Sequence, residues 1–97
     1  MRKTFTLTHP KIKVPRLFEG VKNEIRKYMK RERRKELPPG VDFWDFDCKF
    51  GPTEETAQRV HPAELDKCID GAEKQQMTSF YVEVLAKPGH RQKKPLS

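Results

Sequence analysis

Ninety-seven residues allow one small domain with a single core. Charged residues are 36% of the chain against 34% apolar, and the formal charge is +7. No apolar run approaches the roughly 20 residues that a bilayer requires, and two cysteines are too few for a disulfide-stapled scaffold. The opening Met1-Arg2-Lys3-Thr4-Phe5 carries no apolar leader segment, which with free thiols points to a reducing, cytoplasmic setting.

The elements follow in chain order. Lys3 to Thr8 alternates Phe5 and Leu7 with threonines, the pattern of a half-buried strand, and His9-Pro10 ends it. Pro15 suits a helix's first turn. Leu17, Val21, Ile25 and Tyr28 then recur at three and four residues, with Phe18 and Met29 alongside, predicting an amphipathic helix that stops by Leu37 before Pro38-Pro39-Gly40. From Val41 to Phe50 the period is 2, with Trp44, Phe46, Cys48 and Phe50 on one face and Asp45, Asp47 and Lys49 on the other. Thr56 to Val60 carries a weak pattern that predicts a short strand, with a helical turn as the alternative. Pro62 opens a second helix with a buried stripe of Leu65, Cys68, Ile69 and Ala72. Thr78 to Leu85 reads as the last strand, Phe80, Val82 and Val84 facing one way and Tyr81, Glu83 and Leu85 the other, closed by Pro88-Gly89.

The order β-α-β-β-α-β predicts an α+β two-layer sandwich of the ferredoxin-like type. Residues 1–88 form the expected single domain, and 89–97 a flexible basic tail.

Charge is distributed unevenly. Met1 to Lys35 holds 13 basic and 3 acidic residues, a net of +10; Glu36 to Ala86 holds 4 and 11, a net of −7; Lys87 to Ser97 adds +4. On the first helix Lys22, Arg26, Lys30 and Arg34 form an i, i+4 row with Arg33 beside it, and Lys27, Arg31 and Lys35 form a second row. Like charges at that spacing destabilise an isolated helix by roughly 0.2–0.5 kcal/mol per pair. Lys30 to Glu36 contains no apolar residue, so this stretch is expected to project beyond the sheet. The leading expectation is contact with RNA or DNA phosphates through Lys22, Arg26, Lys27, Lys30, Arg31, Arg33 and Arg34. The rival is a protein–protein adaptor that docks an acidic partner, and a helix lying on anionic lipid is disfavoured because the core needs the apolar face. No membrane contact is therefore expected.

Other residues carry weaker expectations. Trp44, Phe46 and Phe50 are read as core rather than as a stacking platform. The opposite sheet face, with Thr4, Thr6, Thr8, Asp45, Asp47, Tyr81 and Glu83, reads as acidic and ill suited to phosphate. Asp45 and Asp47 are read as solvated rather than as a cation or acid/base site. His9, His61, His90, Cys48 and Cys68 make a zinc set, of which His61, Cys48 and Cys68 could converge, without the close spacing that would mark one. No phosphate-binding glycine loop or nucleophile motif occurs, so no cofactor or reaction is read, and a binding protein is preferred to an enzyme.

The phrases KTFTLTHPKIK (Lys3 to Lys13), KRERRKELPPGVDFWDFDCKFG (Lys30 to Gly51) and SFYVEVLAKPGHR (Ser79 to Arg91) resemble a family of small uncharacterised bacterial proteins. The resemblance covers nearly the whole chain. It implies a bacterial cytosolic protein and brings no activity, cofactor, partner or site residue with it.

Overall fold

A computed structural model describes residues 1–91. The elements are β1 (Arg2–Thr6), α1 (Val14–Arg33), β2 (Phe43–Gly51), β3 (Gln58–Val60), a 3₁₀ turn (Pro62–Glu64), α2 (Leu65–Lys74) and β4 (Ser79–Gly89). Two helices and a four-stranded antiparallel sheet make the expected α+β protein with the expected chain order.

Strand order departs from the ferredoxin-like expectation. The sheet runs β1-β4-β2-β3, with β4 and β2 in the middle, whereas the ferredoxin-like sheet centres β1 and β3. Each half is still a split β-α-β unit: β4 lies between β1 and β2, and β2 lies between β3 and β4. The reason is burial. In β4 the five residues Phe80 to Val84 are all buried, so both faces and both edges are covered. In β1 only Phe5 is buried, which an edge strand tolerates. Chain periodicity reports which face of a strand is apolar and not which neighbours it takes.

The core lies between the sheet and the helices. Phe80 is its centre, with the rings of Phe5, Phe18 and Phe50 at 6.0, 5.9 and 5.1 Å. Phe18, Val21, Ile25 and Met29 face it from α1, and Leu65, Ile69 and Ala72 from α2. Phe46 and Cys48 are buried as expected, and Phe50 packs against them. Gly51 is required where it stands. A Cβ there would lie 2.6 Å from the Ala57 Cα, because the Pro52–Thr56 turn folds back onto the end of β2.

Two boundaries shift. Pro88 and Gly89 are the last paired residues of β4, opposite Trp44 and Phe43. The Arg91 amide donates to Asp42 Oδ2 at 2.8 Å. The basic tail beyond it, with Lys93 and Lys94, lies outside the described residues. No described helix is long and apolar enough to cross a membrane.

Candidate nucleic-acid interface

α1 ends at Arg33, capped at Arg34, and Lys30 to Glu36 does not stand away from the sheet as expected. Its end folds against the start of β2. The Lys35 carbonyl accepts the Trp44 indole N–H at 2.9 Å, and the Arg33 guanidinium lies 5.3 Å from the centre of the Phe46 ring. Both contacts pull a stretch without apolar residues back onto the core edge, through its backbone and through a cation–π contact.

The seven expected site residues fall into three groups. Lys22 and Arg26 face α2, where Lys22 pairs with Asp70 and Arg26 pairs with Asp66 at 3.1 Å. The bond to Asp70 raises the Lys22 pKa. These two side chains therefore dock the chain's own acidic segment and are withdrawn from the phosphate set. Arg33 is the second group, placed over the Phe46 ring. Lys27, Lys30, Arg31 and Arg34 are the third. They are exposed, and they form no ion pair among the described residues.

The helix also carries acids that the two basic rows leave out of view, Glu24 and Glu32. Glu32 lies off the outward ridge, and Glu24 borders it about two turns before Arg31. Glu24 pairs with Lys3 of β1 at 2.9 Å, on the opposite flank from α2. The Glu32 side chain is 13% exposed and pairs with Lys35 at 2.9 Å. Glu19 lies near the ridge, but two turns before Lys27. The result is one helix with neutralised flanks and an outer ridge of one sign over its last two turns.

The open face of the sheet is not the acidic surface expected. Register places Arg2, Glu83, Lys49 and Arg59 in one row across all four strands. Glu83 is 8% exposed, accepts the Tyr81 hydroxyl at 2.8 Å and pairs with Arg2 at 3.2 Å. The Tyr81 bond, with Lys49 and Arg2 nearby, lowers the Glu83 pKa. Burial first, then the bond to Glu83, pushes Tyr81 up to about 12. Asp47 pairs with Lys87 at 2.7 Å and Arg59 at 3.2 Å, which holds its carboxyl low. Lys87, counted with the basic C-terminal residues, instead lies in β4, and only register brings it and Arg59 beside Asp47 and Arg2 beside Glu83. The shared parity of Asp47 and Lys49 was the available signal.

The conceivable zinc set does not assemble. Among the described residues no three His, Cys, Asp or Glu side chains group as metal ligands. His61 Nδ1 instead accepts the Ala63 amide at 3.1 Å, as the cap of the 3₁₀ turn. Burial is the main reason the Cys48 pKa rises to about 11, and it raises Cys68 as well.

The model of a family described as a family of unknown function (DUF6172) matches residues 1–95. No curated protein matches the chain, and no solved structure matches it.

Proposed function

We propose, for a chain that belongs to this family of unknown function, that it binds nucleic-acid phosphates along the outer ridge of α1. Lys27, Lys30, Arg31 and Arg34 make the contacts. One observation carries the reading: Glu24 and Glu32 of α1 and Asp66 and Asp70 of α2 are spent on the flanks, which leaves the last two turns of the ridge with cations alone. A helix that merely needed solubility would gain by pairing charges of both signs along that ridge. Phosphate contacts of this kind set position more than sequence, so the ridge itself discriminates weakly.

The test is binding of labelled single-stranded RNA, single-stranded DNA and heparin across a salt series. Each phosphate contact on a single strand contributes about 0.7 to the slope of log affinity against log salt. Four contacts give a slope of about −3, or roughly a 50-fold loss of affinity over a fourfold rise in salt. The variant K27A/K30A/R31A/R34A should lose that slope, while Lys3→Ala, on the β1 flank, should keep it. No binding by the wild type at low salt, or equal binding by the quadruple variant, refutes the reading. Binding to an acidic protein but to no nucleic acid would favour the adaptor instead.

A further inference from the structure

Beside the ridge is a cleft whose chemistry phosphate binding does not require. β3 pairs only with Cys48 to Phe50 of β2, so the earlier part of β2 has a free edge on that side. The end of α1 and the 3₁₀ turn stand over this edge and enclose an open cleft of about 390 Å³, within the size range of small-ligand sites. Ile25, Met29 and Leu65 contribute apolar lining, and Arg33, Trp44 and Asp45 bring the chemistry.

Each of those three groups is held. The Trp44 N–H is spent on Lys35, so a half-buried indole offers its ring and not its donor. Phe46 is 4% exposed with the Arg33 guanidinium over it, so a ligand meets the guanidinium and not the phenyl ring. Asp45 Oδ1 turns back to accept the Phe46 amide at 2.8 Å, and Oδ2 has no partner among the described residues. A phosphate would be repelled by that carboxylate. A planar base would not be: an indole ring and a guanidinium plane stack on its faces, and a carboxylate oxygen accepts from an exocyclic amine.

We propose that this cleft seats one unstacked nucleobase of a single strand, preferring an amino-bearing base, while the strand's phosphates lie on the ridge of α1. The proposal rests on the ridge reading and adds the ligand's strandedness and base class. It also explains why Arg33 differs from its neighbours in having an aromatic partner.

Trp44 is the chain's one tryptophan, so its fluorescence reports this cleft alone. The full chain is titrated with short oligocytidylate and oligouridylate, in ribose and deoxyribose forms, with a blunt duplex and with heparin, and labelled strands give anisotropy in parallel. Quenching by single strands of either sugar supports the proposal, with oligocytidylate bound about fivefold more tightly than oligouridylate, the worth of one net hydrogen bond. Heparin and the duplex should bind the ridge without quenching. Asp45→Ala should erase the cytosine preference with overall binding kept, and the wild-type preference is decisive even if that variant fails to fold. Equal affinity for the two homopolymers, or anisotropy without quenching, overturns the base site and leaves the ridge standing. No binding by any polyanion removes the ridge reading first.

Discussion

The Tyr81–Glu83 pair gives the sharpest test of the open sheet face. Tyr81→Phe keeps the buried ring and deletes one hydroxyl, which donates to Glu83 Oε1 at 2.8 Å. A hydrogen bond to a charged group is worth about 1.5–3 kcal/mol. The value here should fall at the lower end, about 1.5 kcal/mol, because Arg2 remains 3.2 Å from the same oxygen. The pH dependence identifies the bond. Glu83 titrates below its ordinary 4.5, so its contribution is complete above that value and fades as pH falls through the folded one. Tyr81 is raised from 10 to about 12, so its contribution is complete below 10 and is lost as pH rises towards 12. The stability gap between wild type and Tyr81→Phe should therefore be widest near neutrality and narrow at both ends. Urea unfolding at a series of pH values measures it. A gap below about 0.5 kcal/mol, the low end for a net hydrogen bond, or one that does not change with pH would show that the hydroxyl is not holding the carboxylate.

Three further outcomes follow from burial. Phe80→Ala should cost about 4 kcal/mol, since it empties the space between three phenyl rings; a denaturant midpoint that barely moves would contradict the packing. Gly51→Ala should cost about 1–3 kcal/mol and lower the melting temperature, because the new methyl meets the Ala57 backbone; an unchanged melting temperature would mean that the Pro52–Thr56 turn yields. In timed alkylation read by mass spectrometry, Cys68 should react before Cys48, which is 1% exposed and has its pKa raised to about 11; equal rates would place both thiols in similar surroundings.

Much of the fold was legible because the chain alternates cleanly where it is half-buried. Phe80, Val82 and Val84 announced the inner face of β4, and Leu65, Ile69 and Ala72 the inner stripe of α2. Pairing order was not legible. What centres β4 is that Tyr81 and Glu83, polar residues on its outer face, are buried too. Their burial comes from Arg2 and the other cross-strand neighbours, and no periodicity within β4 carries that information. The end of α1 departs from expectation for a similar reason. Lys30 to Glu36 looks solvent-bound by composition, yet its contacts to β2 run through a backbone carbonyl and a guanidinium face, which hydropathy counts as polar.

The candidate site shows the same limit from the side of charge. Counting Lys and Arg along α1 cannot separate Lys22 from Lys30, since both stand in one i, i+4 row. Three dimensions separate them, because Lys22 meets Asp70 of α2 and Lys30 meets nothing of opposite sign among the described residues. The acidic middle of the chain thus neutralises one flank of the helix and leaves its ridge alone. Had α2 lacked Asp66 and Asp70, the basic surface would be broader and its sign less informative, because cations with no local counter-charge occur wherever a chain is simply basic. Here the chain supplies acids to two flanks and withholds them from the last two turns of the third face, and that selectivity, more than the total of +7, marks the ridge as the surface to test.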